Sequence, residues 1–446
     1  MNRSSLALAI ATLGILSQQA SAAGFFEDSK ATLSLRNFYF NNDNRDGTAN
    51  PSKQEEWGQG FNLNYSSGFT QGPVGFGVDA LGLVGLKLDS GKGTHYNPTS
   101  ANNSGQLFPT NHSGRAESSY GHLGLTGKVK FSKTEARIGT LMPRLPVIVI
   151  NDGRLLPQTF QGGQVTSNEI KDLTLIGGKV ERAKGRSSTN TDSLSIAGAN
   201  NPQTGKFSNQ FYYLGGDYKL NKDLKLQYYY GTLEDFYEQH FVGLVHDWAL
   251  PVGKLQTDLR YFNSYSDGKN ANTAGRNEGY RSAGYWVAGD SERGEVDNRT
   301  WSAKFTYSLE SHEVSAGVQR LSGNSNFPVL NQGDGYTAYL ITDSQIGKFL
   351  SAGERTWRVS YAYDFAKAGV PGLKASAIYL SGDNVDAKGS DQSEWERDLR
   401  LDYAIQGGFF KGVGLSYRHA TLRSDVGTTR DVDENRFYVT YSLPLL

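Results

Sequence analysis

The sequence predicts an all-β protein whose strands close into one transmembrane antiparallel β-barrel. Three observations carry that prediction. Segments that alternate apolar and polar residues with period two recur from one end of the chain to the other. Short turn signals and long polar stretches take turns in joining them. Beyond the N-terminus, no stretch approaches the roughly 20 apolar residues that a spanning helix needs. Composition agrees, since the 446 residues include 53 glycines, 25 tyrosines and 22 phenylalanines but only 37% hydrophobic residues. That is thin material for a soluble core and suits strands with a single apolar face.

The N-terminus, "MNRSSLALAIATLGILSQQASA", places Arg3 before an apolar run from Leu6 to Leu16 and a small-residue site at Ala20-Ser21-Ala22. Residues 1–22 are therefore expected to be a secretory signal peptide, and residues 23–446 a single outer-membrane barrel domain. The chain has no cysteine, so no disulfide framework supports the exported protein. Alternating segments then follow in order, among them "ATLSLRNFYF", "QGFNLNYSSGF", "YGHLGLTGKVKF", "EARIGTL", "LKLQYYYGTL", "LQTDLRYFNSY", "WSAKFTYSL", "WRVSYAYDF", "LRLDYAI", "VGLSYRHATL" and "RFYVTYSLPLL". Tight connections such as "SLESHEV" contrast with long ones such as "KGTHYNPTSANNSGQLFPTNHSGRAE", the pattern of periplasmic turns and external loops. Alternation alone also fits a soluble sandwich or propeller. The lack of blade-like repeats argues for the membrane, as do aromatics near segment ends such as Trp57, Trp248, Trp301 and Trp357.

If the apolar face of each strand meets lipid, the alternate residues line the lumen. This rule turns Arg36, Lys128, Lys130, Arg137, Arg260, Lys304, Arg358, Arg400, Arg418 and Arg436 inward. The acids assigned inward, Glu135, Asp258, Asp364, Asp398 and Asp402, are fewer. A guanidinium meets a carboxylate with two parallel hydrogen bonds, so such a lumen is suited to conducting small carboxylates. Several moderate sites in series let a solute enter and leave.

The balance of 45 basic against 45 acidic residues gives no argument for a nucleic-acid partner. The 7 histidines show no metal-ligand spacing, and no nucleophile motif lies between a strand and a helix. No enzyme activity, cofactor or metal is expected. The competing class is an adhesion or receptor barrel whose external loops are the working surface.

The segments "LRNFYF", "EEWGQGFNLNYSSGFTQGPVGFGVDALGLVGLKLD", "GTLMPRLPVIVINDGRLLPQTFQGG", "EDFYEQHFVGLVHDW" and "RDVDENRFYVTYSLPLL" resemble the OprD family of substrate-specific outer-membrane porins, the outer-membrane carboxylate channels. The resemblance runs along essentially the whole mature chain. It implies an 18-stranded barrel of monomer size, alone or in a loose homotrimer, narrowed by inward-folded loops that face a ladder of basic residues. Arg36, Arg418 and Arg436 match the ladder, and Asp152, Arg154 and Pro157 fall in the constriction loop. The segments around "NDGRLLPQTF" and "EWER" are most similar to the OccK/OpdK-like branch that takes up aromatic and other small monocarboxylates. Basic amino acids, peptides and tricarboxylates are the substrates of the alternative branches. The expected partners are small carboxylate solutes, outer-membrane lipid and lipopolysaccharide. Relatives often carry arginine where this chain has Glu238 in "YEQH" and Ala377 in "SAIY", which implies a thinner ladder.

Overall fold

Each barrel stave pairs antiparallel with the stave before it until the last, Val432–Pro444, pairs with the first, Lys30–Asn44, and closes the sheet. The computed structural model describes residues 23–47, 49–95, 105–197, 205–331, 335–387, 391–427 and 431–446. The expected signal peptide, 1–22, lies outside these residues. The sheet counts 19 strands, of which 18 are barrel staves. The extra one, Thr191–Ser193, is a 3-residue strand paired with the far end of Leu173–Lys184. Closure leaves no barrel stave with an unpaired edge among the described residues, a condition for spanning a membrane with β-structure.

Chain termini and short turns share one rim. At that rim Ser132 (φ 52°) and Glu310 (φ 53°) each stand in a tight hairpin turn. The other rim carries the long connections, which by the rule for outer-membrane barrels is the external side. Outward residues are apolar and exposed, for example Leu125 at 62%, Ile138 at 74% and Tyr417 at 46%. The rings of Trp57, Trp301 and Trp357 toward the long-loop rim and of Trp248 at the short-turn rim are exposed on the outer face, in keeping with interfacial girdles.

The buried apolar side chains lie inside the barrel, where external loops fold down against the inner wall. One cluster joins Leu145, Val147, Ile148 and Ile150 of residues 142–158, and Phe327, Val329 and Leu330 of residues 323–354, to Phe241 and Phe262 on the staves. A second joins Phe38, Phe40 and Tyr438 of the wall to Leu107, Phe108, Leu155 and Leu156. Burying each such side chain is worth about 1.5–3 kcal/mol, so the loops are packed as a core would be.

The register corrects one expectation. Ala377 stands opposite Leu399, which is exposed to the outside, and Glu238 accepts a hydrogen bond from Tyr265 at 3.0 Å in an exposed aromatic group. Both positions face outward. The residues that replace arginine there therefore take nothing from the inner wall.

Candidate functional site

The constriction is built by loops that the wall holds through its carboxylates. On the stave Gln392–Ala404, Glu396 is fully buried and accepts the backbone N–H groups of Ile346 at 2.8 Å and Gly347 at 2.5 Å. Asp398 accepts Gln345 N–H at 3.3 Å, and Glu434 accepts the Gln345 side-chain amide at 3.1 Å. Farther along the same wall, two staves beyond Glu434, Glu56 accepts Leu107 N–H at 2.6 Å and pairs with the buried ring of His95. Buried carboxylates are costly unless they are hydrogen-bonded, and here folded-in backbone supplies the donors. Of these acids, the alternation read from the sequence names only Asp398.

Residues 142–158 fold in as a small hairpin in which Arg144–Leu145 pairs with Ile148–Val149. Asn151 and Gln158 close the loop that follows it: the backbone N–H of Gln158 reaches Asn151 O at 2.9 Å, and the Gln158 side-chain oxygen accepts Asn151 N–H at 3.0 Å. Pro157 is buried inside that ring, where its lack of an N–H leaves no donor to satisfy. Arg36 of Lys30–Asn44 grips the loop, donating to Asp152 at 2.9 Å and to the Arg154 carbonyl at 2.6 Å. Arg154 turns the other way. It forks onto the Gln106 side-chain oxygen at 3.2 and 2.9 Å and lies over the Phe40 ring, 4.7 Å from its centre. Loss of water, with Arg436 and Arg186 close by, pulls the Arg154 guanidinium down to about 9, so it stays charged at neutral pH.

Between loops and wall lies a cavity of about 360 Å³ lined by Asn151, Gly153, Arg154, Arg186, Tyr336, Asp343, Gln345, Lys348 and Arg436, among others. Arg436 is held by Glu434 at 2.6 Å and by the Gln345 carbonyl at 2.8 Å, and Lys348 pairs with Asp343. Arg186 donates to the Asn151 side chain at 3.3 Å. Gly335, at φ 78°, makes room for it, because a Cβ there would stand 2.3 Å from Arg186 Nη2. Arg186, Lys348 and Gln106 sit on non-periodic loops, where alternation gives no signal.

Seven of the inward cations form a basic arc interrupted only at the staves His312–Ser322 and Leu373–Val385. It runs along the wall from Lys254–Ser266, with Arg260, through staves bearing Lys304, Arg358, Arg400, Arg418 and Arg436, to Arg36 on Lys30–Asn44. Arg400, Arg418 and Arg436 stand directly side by side on three adjacent strands. Some rungs are held by acids: Arg260 by Asp258 at 2.7 Å and Arg400 by Asp402 at 2.5 Å. Others are not. Arg358 donates to the hydroxyls of Ser315 at 2.9 Å and Ser360 at 3.4 Å, and Arg418 to the hydroxyl of Ser416 at 3.3 Å while covering the Tyr438 ring at 4.8 Å. Among the described residues, no carboxylate oxygen comes within 4.0 Å of Lys304, Arg358 or Arg418.

Lys128, Lys130 and Arg137 also face inward but stand apart from this arc, toward the short-turn rim. Lys128 is buried against Asp79 at 2.7 Å, Ser66 and Ser67, Lys130 lies 5.6 Å from the centre of the Phe69 ring, and Arg137 is bonded to Glu135 at 2.5 Å.

Comparison with known proteins agrees with this geometry. Residues 23–445 match the family model described as outer membrane porin, OprD family. Porin-like protein GalP of Pseudomonas putida is 37% identical over 96% of this chain and 95% of its own length. The crystal structure of Pseudomonas aeruginosa OccK8 (OprE) is 57% identical over 95% of this chain and 100% of that one, with a TM-score of 0.87. That of P. aeruginosa OpdK with vanillate is 34% identical over 94% of this chain and 100% of that one, with a TM-score of 0.81.

Proposed function

Because this chain belongs to the OprD family of outer membrane porins, and so is a passive outer-membrane channel for small solutes and not an enzyme, we propose that the solutes it guides are small carboxylates, in particular aromatic monocarboxylates. The observation that carries this reading is the set of wall cations with no carboxylate oxygen within 4.0 Å among the described residues, Lys304, Arg358 and Arg418. A carboxylate losing water at the constriction finds charge-assisted donors there that hold it without trapping it.

Aromatic faces lie beside the guanidinium groups. Tyr438 under Arg418 stacks on Phe38 with centroids 4.1 Å apart, and Arg260 lies 4.2 Å over the Tyr339 ring centre. An acid with an aromatic body meets both a donor fork and an apolar plane. The vanillate in the OpdK structure is such an acid, bound by a relative. In this reading Arg36 and Asp152 set the aperture, with Arg154 and Pro157 shaping the same loop. Arg260, Lys304, Arg358, Arg400, Arg418 and Arg436 pass the anion along the wall, and Lys128, Lys130 and Arg137 border its exit.

Swelling of proteoliposomes in benzoate, benzamide and arginine tests the proposal. Benzoate is expected to enter faster than its uncharged amide, with arginine slowest. Entry led by arginine would point instead to the basic amino-acid branch, and equal entry of benzoate and benzamide would deny the wall cations any part.

A further inference from the structure

Near the long-loop rim, on the outside of the barrel, three arginines occupy three adjacent staves of a wall that otherwise faces lipid. They are Arg299 on Asp297–Leu309, Arg320 on His312–Ser322 and Arg355 at the start of Arg355–Asp364. Each alternates in step with an exposed apolar residue two positions away, Trp301, Val318 and Trp357 respectively, so each points outward. Arg320 and Arg355 stand directly opposite one another, and Arg320 stands opposite Trp301 on its other side. Direct opposition brings Cα atoms to about 4.5–5.5 Å, and like charges so placed repel.

The protein answers this charge only in part. Asp297 holds Arg299 at 2.9 Å. Asp383, itself 72% exposed, lies 3.6 Å from Arg355, and the Asn384 side-chain oxygen takes Arg355 Nη2 at 2.5 Å. Arg320 has no hydrogen bond or ion pair among the described residues. Two carboxylates thus face three guanidiniums, and the central one is unanswered.

We infer that this row binds the phosphate groups of a phosphorylated glycolipid of the outer leaflet, the lipid A portion of lipopolysaccharide. The row stands on the rim where that leaflet meets the barrel, with Arg299 and Arg355 one outward position beyond the indoles of Trp301 and Trp357 and Arg320 level with Trp301, at headgroup height. Below them Phe305 and Val359 offer apolar surface to acyl chains. A phosphate laid across Arg320 and Arg355 accepts paired N–H bonds from both and removes their mutual repulsion.

Native mass spectrometry of the detergent-solubilised protein, titrated with lipid A, dephosphorylated lipid A and phosphatidylglycerol, tests the site. The wild type should retain lipid A over the other two. The double variant R320Q/R355Q should bind lipid A about tenfold more weakly, with R320K/R355K in between, because lysine keeps the charge and loses the fork. Single-channel conductance of both variants should equal that of the wild type, since the row lies outside the pore, and this also reports that they fold. Undiminished lipid A binding by the glutamine variant, or equal binding of dephosphorylated lipid A, would overturn the phosphate site. Equal binding of phosphatidylglycerol would overturn the assignment to the glycolipid.

Discussion

Arg418→Gln is expected to lower benzoate flux about tenfold at low concentration while leaving benzamide flux unchanged. A hydrogen bond to a charged group contributes about 1.5–3 kcal/mol, and Arg418 offers its donors to a passing anion because, among the described residues, only the Ser416 hydroxyl and the Tyr438 ring engage it. Glutamine preserves much of the shape and removes the charge. Uptake of labelled benzoate and benzamide into proteoliposomes decides the matter. A parallel fall for both solutes would show that the substitution had narrowed the pore, and no fall for either would remove Arg418 from the path.

Glu396→Ala should widen the channel. The Glu396 carboxylate accepts two backbone N–H groups of the loop that lines the cavity, at 2.8 and 2.5 Å. Alanine leaves Ile346 and Gly347 without an acceptor, at about 1–3 kcal/mol for each buried group left unsatisfied. The loop relieves that cost by lifting into water, taking Gln345 and its contact to Arg436 with it. Single-channel recording should show higher conductance, more open-state noise and a weaker preference for benzoate over benzamide. An unchanged conductance would mean that the apolar packing of Phe327, Val329 and Leu330 holds the loop without the carboxylate.

What the sequence discloses and what it hides follow from the same geometry. Period two is enforced stave by stave, so the inward direction of Arg418, between outward Tyr417 and its neighbours, is legible in a few residues. The rule names which face a side chain is on and stops there. Lys128 and Arg418 look alike to it, although one is buried against Asp79 and the other has no carboxylate oxygen within 4.0 Å among the described residues. Glu238 and Ala377 look like gaps in the ladder until the register turns them outward. Inward Phe38 and Phe40 escape notice because an apolar residue on the polar face has no meaning until Leu155 and Phe108 fold down to meet it. Arg186 and Lys348 reach the cavity from loops far apart in the chain. Their convergence depends on carboxylate hooks and on the room left at Gly335, which no local pattern records.

The most direct test of the carboxylate reading is the single-channel current of the wild-type protein in a planar bilayer, with benzoate and then arginine added to the external side. Brief interruptions that grow with benzoate and not with arginine are the predicted result, each marking an anion held at the wall cations. Interruptions by arginine alone, or a current indifferent to both solutes, would contradict it.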